Sequence, residues 1–437
     1  MPARLLHISR AATLITIVVL AWPVNLPLPL PNFDIATLPL PYLAPTISLA
    51  EVTTIIASVS YALAGWPNRA TLRSGWRKGF ILSLAGLILF EALSISWSIH
   101  PGLAAVQVTH MVIWAAFALM ISCADWSAIS ITFALLAGLV IHSVVGFVQL
   151  TILPVVTIVP QNSGISVVFS GTEHWLRVYG LSSHPNVLGG HLAVGAILIL
   201  GLVIISPGRQ RFWLIAAWLM CWLTLLLTFS RSAWLGVVGG GLLAMILLLC
   251  GGHLARSTFK LLAALAATGL GLTALFVWRF QPFLVNSIEV AIVSYETQAI
   301  VQRLDAARLA LKIFVEHPVT GVGLAQSVVV TRNLLGTPID WIHNVPLLIA
   351  AELGVGGIIL IGLMLFALGA IGLRRWRTRS ISMWQVLVGG ALIALLIAMQ
   401  FDHYVWTTPQ GGLLWAWLVG WWLRRAHAAA ADHATAS

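Results

Sequence analysis

The sequence is dominated by apolar runs of about 20 residues that recur along its length. A helix of about 20 residues crosses the hydrocarbon core of a bilayer and satisfies its own backbone hydrogen bonds there. Only 8% of the residues are charged, whereas a soluble domain carries about 25%, so the polar residues are too few to cover a globule. The sequence therefore predicts an all-α, polytopic membrane protein that forms a single integral membrane domain, 1–437.

The hydropathy pattern predicts about twelve transmembrane helices. They cover residues 11–28, 46–66, 78–97, 102–122, 128–152, 184–205, 212–229, 232–250, 258–278, 342–370, 381–400 and 409–424. A large, partly helical loop, 279–341, separates the ninth span from the tenth, and a second long connection covers 153–183. The Ala-rich tail, 426–437, is predicted to be disordered.

Lysine and arginine residues predict the orientation, because cytoplasmic loops are enriched in them. With both termini in the cytoplasm, sixteen of the 23 basic residues lie inside. The other seven lie outside, where the same rule predicts depletion, and they are Arg177, Arg231, Arg279, Arg303, Arg308, Lys312 and Arg332. The net charge of +10 therefore reflects topology, and no nucleic-acid partner is expected. Some of the outer arginines are candidates for binding an anion.

His343 and Asn344 stand on the outer side, where the tenth span begins. A histidine at the lipid–water boundary can act as a general base, although spacing alone favours an ordinary helix-terminal residue. Glu352 lies nine residues further on, about 13 Å along a helix and near its opposite face. Glu352 is therefore not expected to orient His343, and we expect its partner to be an arginine or histidine of another span.

Two further outer segments carry candidate anion-binding arginines. Arg231 follows the turn between the seventh and eighth spans, where helix N–H groups and a guanidinium would converge on an anion. A snorkelling arginine is the alternative. Arg303 and Arg308 are five residues apart, about 140° around a helix, so we expect at most one of them to touch a ligand.

The remaining candidates surround the sixth span and the last outer loop. His184 and His191 share one helix face and raise the question of a metal, but no paired acids accompany them, and no metal is expected. Arg177 and Asn186 belong to the same stretch, in which a proline at the first helical turn is enough to explain a span start. The segment Asp402-His403-Tyr404-Val405-Trp406 could be a lid, a second acid–base pair, or an aromatic belt with a solvated aspartate.

Four blocks resemble, in order, the blocks of the O-antigen ligase/polymerase superfamily. They are RVYGLSSHPNVLGG (177–190), TFSRSAWLG (228–236), RLDAARLALKIFVEHPVTGVGL (303–324) and HNVPLLIAAELGVGG (343–357). The resemblance covers 177–410, and the first 150 residues match only in hydropathy. It implies a GT-C-like fold and transfer of a glycan from undecaprenyl diphosphate to the lipid A–core oligosaccharide, at the periplasmic face of the bacterial inner membrane. The implied chemistry of this lipopolysaccharide biosynthesis step is inverting and metal-independent, without a cofactor.

The resemblance also implies roles for individual residues by motif position. His343 would be the base or would position the acceptor hydroxyl, and Arg231 and Arg303 would bind the diphosphate. Arg308 has no clear counterpart and ranks below Arg303. Supporting roles fall to Arg177, His184, Asn186, Asn344, Glu352 and Asp402. The implied partners are the lipid-linked donor, the lipid A–core acceptor and membrane lipid, while the oligomeric state stays open.

Three other functions remain open from the sequence. A polymerase of the same superfamily would use the lipid-linked donor on both sides of the reaction. A protein O-oligosaccharyltransferase would use a Ser or Thr acceptor, but usually has a larger C-terminal part. A lipid or solute transporter would place polar groups near the midplane; Glu91 and Glu352 fit that pattern, whereas most candidates lie at the outer edge.

Overall fold

The computed structural model describes residues 1–28, 45–67, 69, 72, 75–152, 166–170, 173–252, 255–289, 295–335 and 341–424. The predicted disordered tail, 426–437, lies outside the described residues. The elements of the first half are α1 (Pro2–Val18), β1 (Asn25–Pro27), β2 (Thr46–Ser48), α2 (Leu49–Leu63), α3 (Gly75–Ser94), α4 (Pro101–Cys123), α5 (Ala128–Ile152), β3 (Val167–Ser170), β4 (Glu173–Leu176) and α6 (Pro185–Ile205). Those of the second half are α7 (Gly208–Leu227), α8 (Arg231–Cys250), α9 (Arg256–Glu289), α10 (Tyr295–Glu316), α11 (Ser327–Leu335), α12 (Val345–Arg377), α13 (Met383–Ala398), α14 (Tyr404–Thr407) and α15 (Pro409–Leu423).

Each predicted span overlaps one of these helices, and the all-α, polytopic class is confirmed. Within the described ranges, eight helices are long and apolar enough to cross a membrane: α3 to α9 and α12. The helices α2 and α13 are apolar but have only 15 and 16 residues, and α1 and α15 have 17 and 15. The number twelve therefore stays a prediction.

Two predicted boundaries are wrong. The first span was placed at 11–28, but α1 covers Pro2–Val18 and residues 25–27 form β1, which pairs with β2. Prolines interrupt this stretch, and a proline cannot donate the hydrogen bond that would continue a helix. The ninth span was placed at 258–278, and the outer loop was predicted to begin at 279, but α9 continues to Glu289. Its extension carries Phe280 and Phe283 into an aromatic cluster, which gives an apolar reason for the extra turns.

The described chain divides into two compact units. The first unit comprises Met1–Ala128, Gln302–Gln385 and Met399–Ser437, and the second comprises Ile129–Val301 and Val386–Ala398. In the first unit α1 packs on α2, α3 on α12, and α4 on α15. A side chain on Gly420 would lie 2.5 Å from the carbonyl oxygen of Ala118, so α4 and α15 approach as closely as small residues allow.

A break interrupts α12 at Gly354, whose φ of 59° and ψ of −157° are not helical. The segment 318–323 lies against this break and supplies the missing backbone partners. Four hydrogen bonds join them: Val322 N to Ala351 O (3.1 Å), Gly323 N to Glu352 O (2.9 Å), Val355 N to Pro318 O (2.8 Å) and Gly356 N to Val319 O (3.3 Å). A broken helix at membrane depth is tolerated only when protein satisfies its backbone. Gly321 and Gly323, with φ of 62° and 102°, give this segment its tight turn.

The second unit contains α6 to α9, nearly all of α5 and most of α13. A close crossing in this unit joins α8 to α13, where a side chain on Gly240 would lie 2.2 Å from the carbonyl oxygen of Gly390. The antiparallel hairpin β3–β4 pairs Val168 with Trp175. Trp175 then packs with Phe229 and the aromatic residues of α9 in one hydrophobic cluster, which holds the hairpin and the α7–α8 turn together.

Candidate active site

The start of α12 is hydrogen-bonded to the segment 399–403, and this attachment positions His343. Asn344 is the N-cap of α12: its side-chain oxygen accepts from Leu347 N at 2.9 Å, and its amide nitrogen donates to Gln400 O at 3.0 Å. Val345 N donates to Met399 O at 2.9 Å. Asn344, predicted as a supporting residue, is thus a structural cap that places His343 beside the segment 399–403.

His343 faces Asp402 across this attachment. His343 Nδ1 lies 3.7 Å from Asp402 Oδ1, with the two side chains 17% and 5% exposed. The alternative of a solvated aspartate is therefore wrong, because the carboxylate is buried and directed at a histidine. An imidazole beside a buried carboxylate is the arrangement in which the ring is oriented and its protonated form is stabilised.

His403 completes a cluster with these two residues. Its ring stacks on Trp341, with centroids 5.6 Å apart and planes at 28°, and meets the ring of His343 edge-on at 4.9 Å. His403 Nδ1 lies 2.6 Å from Thr407 Oγ1, and the backbone amide of His403 donates to Asp402 Oδ1 at 2.9 Å. The sequence singled out the segment from Asp402 onward but did not select His403 as a site residue. Its position directly after an outer-side acid was the available signal.

Below this cluster, the neighbours of His343 in sequence enter an apolar core of the first unit. Trp341 and Ile342 are buried there with Leu348 of α12 and Ile313 of α10. His343 itself stays partly exposed at the edge of this core. A ring that is held by packed neighbours and still reaches solvent can meet a substrate without losing its orientation.

Tyr404, the next residue after His403, does not compete for the role of base. Burial raises the pKa of its phenol, and the neighbouring Asp402 carboxylate raises it further. The phenol therefore stays protonated at neutral pH. Proton transfer at this cluster falls to the two histidines and the aspartate.

His343, Asp402 and His403 also offer ligand atoms that all lie within 4.8 Å of one another. Two histidines and one carboxylate can hold a divalent transition metal ion. This set could not be predicted from the sequence, because its residues come from two distant segments and are not a pair of acids.

Glu352 belongs to a different part of the first unit. It is 1% exposed and accepts hydrogen bonds from Ser327 Oγ at 2.7 Å and Ser327 N at 3.3 Å. The predicted arginine or histidine partner is therefore wrong. The N–H groups at the start of α11 provide donors for a carboxylate without any cation. Glu352 helps to fix the segment before α11 against the break in α12, so its role is structural support.

In the second unit, Arg177 joins three segments. Its Nε donates to Thr228 O at 2.9 Å, its Nη2 to Asn186 Oδ1 at 2.5 Å, and its Nη1 to Ser166 Oγ at 3.4 Å. The guanidinium thus ties the hairpin to the α7–α8 turn and to the first turn of α6. Arg177 and Asn186, both predicted as supporting residues, hold the segment that leads into α8.

The two histidines of α6 serve the backbone of their own helix. His184 is the N-cap and accepts from Asn186 N through Nδ1 at 3.1 Å, while His191 is buried with Nδ1 2.8 Å from Val187 O. Both contacts agree with the interpretation of this stretch as the start of a span. They do not support a metal site at His184 and His191.

The arginines that were predicted to lie outside differ in their contacts and exposure. Arg308 is exposed and pairs with Asp305 at 3.2 Å, and Arg279 lies over the ring of Trp175 at 5.9 Å. Arg231 is exposed at the first position of α8 in the second unit, and Arg303 is exposed on α10 in the first. The local ion pair of Arg308 agrees with its lower rank, and Arg231 and Arg303 stay the predicted anion-binding residues.

These observations define a multi-pass, all-α membrane protein with a histidine–aspartate cluster at one end of α12. The family model described as O-Antigen ligase matches residues 215–362. The match covers about a third of the chain, so residues 215–362 are similar to this family. The matched region contains Arg231, Arg303 and His343, and it ends before Asp402. A comparison with curated proteins gives no match.

Proposed function

We propose that the protein is a glycosyltransferase of the ligase type, which transfers O-antigen polysaccharide from undecaprenyl diphosphate to the lipid A–core oligosaccharide. It works at the periplasmic face of the bacterial inner membrane, with both termini in the cytoplasm. The observation that carries the proposal is the His343–Asp402 pair, fixed beside the N-cap of α12. The similarity of residues 215–362 to the O-antigen ligase family supports a lipid-linked glycan as the substrate.

His343 is the general base in this proposal. The proposal places the hydrogen of His343 on Nδ1, toward Asp402, and on Nε2 the lone pair that meets the substrate. Nε2 takes the proton of the acceptor hydroxyl as its oxygen attacks the anomeric carbon. The bond from that carbon to the diphosphate oxygen breaks, and its electron pair leaves with undecaprenyl diphosphate. One displacement inverts the anomeric configuration, and Asp402 stabilises the imidazolium that forms.

Arg231 and Arg303 bind the diphosphate in this proposal. The leaving group gains negative charge in the transition state, and guanidinium groups stabilise such charge through paired N–H donors. The exposure of both side chains supports the assignment, as does the pairing of nearby Arg308 with Asp305. Arg177 takes no part in donor binding here, because three hydrogen bonds hold its guanidinium within the protein.

The experiment that tests the proposal is His343→Ala, in purified full-length protein with lipid-linked glycan and lipid A–core. The wild type should produce the ligated lipid, and the variant should lose at least a hundredfold in rate, since general bases contribute roughly 10²–10⁴-fold. His317→Ala is the matched control, because His317 is an exposed histidine at the end of α10. A His343→Ala rate within threefold of wild type would remove His343 from the chemistry.

A second mechanism would follow if a metal bound here: His343, Asp402 and His403 would hold a divalent ion, which would supply Lewis-acid activation of the acceptor hydroxyl. We propose the metal-independent route, in keeping with the family resemblance. Dialysis against EDTA should leave the transfer rate unchanged, and elemental analysis should find no stoichiometric metal. Loss of activity with EDTA that zinc or manganese restores would establish the metal mechanism instead.

The identity of the product separates the ligase from its relatives. Single transfer to lipid A–core is expected, whereas lengthening of the glycan on the polyprenyl carrier would identify a polymerase. Transfer to serine or threonine of a protein would identify a protein O-oligosaccharyltransferase. Each product differs in mass and in its lipid, so one chromatographic separation distinguishes them.

A further inference from the structure

The ring of His403 is held on three sides, although the proposed reaction gives it no role. Trp341 stacks on one face at 5.6 Å, the edge of His343 lies at 4.9 Å, and Thr407 Oγ1 lies 2.6 Å from Nδ1. The ring is partly exposed, as is that of His343. An oriented, accessible imidazole beside the base is placed to touch the same substrate.

The hydroxyl of Thr407 fixes the orientation of the His403 ring. Thr407 Oγ1 lies 2.6 Å from His403 Nδ1 and 3.2 Å from the backbone oxygen of His403. When Thr407 donates its single hydrogen to that backbone oxygen, Nδ1–H of His403 donates to Thr407. In a neutral imidazole Nε2 then holds the lone pair.

The ring of His343 lies beside that of His403, with centroids 4.9 Å apart. His343 Nδ1 is 3.7 Å from Asp402 Oδ1, which is longer than a hydrogen bond. In the proposed reaction the other ring nitrogen of His343, Nε2, meets the acceptor hydroxyl. Two adjacent imidazoles match a ligand with two adjacent hydroxyls, and neighbouring hydroxyls of one sugar ring are such a pair.

We infer that His403 binds the acceptor sugar by accepting a hydrogen bond from a second hydroxyl, next to the one that His343 deprotonates. This inference rests on the proposed function and deepens it. The acceptor class is then a sugar with a free hydroxyl beside the attacking one. Binding through two hydroxyls fixes the rotation of the sugar over the base, and this positioning selects which hydroxyl is glycosylated.

Asp402 Oδ1 accepts a hydrogen bond from the backbone amide of His403, so this bond does not depend on the imidazole. His403→Phe should therefore keep the Asp402 contact and the aromatic stack on Trp341, while it removes the acceptor nitrogen. Thr407→Val removes the oxygen that holds Nδ1–H and keeps the shape of the side chain. Thr407→Ser retains that oxygen and is the matched control.

Initial-rate kinetics with lipid-linked glycan and lipid A–core test the inference. His403→Phe should raise the acceptor KM about tenfold or more, as expected for loss of one hydrogen bond to a substrate hydroxyl. The donor KM should stay within twofold. Thr407→Val should raise the acceptor KM in the same direction by a smaller factor, and Thr407→Ser should match the wild type.

A series of acceptors, each lacking one hydroxyl of the terminal core sugar, provides the second readout. With the wild type, loss of one non-attacking hydroxyl should raise the acceptor KM about tenfold, and with His403→Phe the same loss should have no further effect. An unchanged acceptor KM in His403→Phe, or full additivity of the two changes, would overturn the inference. If His403→Phe does not fold, Thr407→Val with a wild-type KM and melting temperature overturns it.

Failure of the inference can be told apart from failure of the proposed function. If the wild type itself transfers no glycan to lipid A–core, the proposed function is wrong. If the wild type transfers and the His403 and Thr407 variants keep its acceptor KM, only the role of His403 is wrong.

Discussion

Replacement of Asp402 by asparagine isolates the electrostatic part of the proposed mechanism. Asparagine has the shape of aspartate and keeps an oxygen that can accept from the His403 amide, now 2.9 Å from Oδ1. The substitution therefore removes one charge beside His343 and leaves the loop contact in place. The proposal expects the rate of transfer to fall and the structure to persist.

The size of the effect follows from the distance of 3.7 Å between His343 Nδ1 and Asp402 Oδ1. Two unit charges near 4 Å attract by about 4 kcal/mol at an effective dielectric constant of about 20, and by about 1 kcal/mol in water. His343 is 17% exposed and Asp402 5%, so the interaction lies between these limits. Because about 1.4 kcal/mol corresponds to a tenfold change in rate, kcat should fall between about fivefold and about a thousandfold.

The assay is the steady-state transfer of glycan from the lipid-linked donor to lipid A–core, with kcat and both KM values measured. The KM values should change little, because the Asp402 side chain is buried and does not reach the substrate. Asp125→Asn is the matched control, since Asp125 pairs with Arg424 at 3.8 Å and its side chain is 71% exposed. A kcat of Asp402→Asn within threefold of wild type, with an intact fold, would refute the electrostatic role.

Two further predictions concern the donor and the break in α12. Arg231→Ala and Arg303→Ala should each raise the donor KM about tenfold or more, since hydrogen bonds to charged groups contribute roughly 1.5–3 kcal/mol. Arg308→Ala is the control and should leave the donor KM unchanged. Equal donor KM values in all three variants would contradict the diphosphate assignment. Gly354→Ala should lower the melting temperature in detergent, because its φ of 59° and ψ of −157° are strained for alanine and its Cβ would lie 2.6 Å from Val319 C. Gly362→Ala, on the same helix with no atom within 4 Å of its Cβ, should leave the melting temperature unchanged.

The helices could be predicted from the sequence because hydropathy is a local property. Apolar runs located the helices that overlap the twelve predicted spans. The first-span error came from overlooking the prolines within 11–28, whereas the ninth-span error fell where packing overrides local preference. The helix α9 runs past its apolar stretch because Phe280 and Phe283 pack in an aromatic cluster, and no sequence window reveals that partner.

The candidate site could be predicted only in part, because its contacts join segments that are far apart in the chain. His343 was found from its position at a span start and from the family resemblance. Its contact with Asp402 depends on the attachment of Asn344 to Gln400 and of Val345 to Met399, which joins segments far apart in the chain. The partner of Glu352 was assigned wrongly because an isolated carboxylate suggests a cation, whereas the start of α11 supplies neutral donors.

The break at Gly354 separates α12 into a short N-terminal piece, which follows His343, and a longer piece that continues to Arg377. The segment 318–323 bonds to both pieces, because it donates to Ala351 O and Glu352 O and accepts from Val355 N and Gly356 N. The angle at the break is therefore set by protein contacts on both sides. When the thickness of the bilayer changes, a long helix accommodates by tilting, and we expect the short piece and His343 to move with the longer piece. The proposed transferase should therefore transfer glycan at different rates in bilayers of short-chain and long-chain lipids.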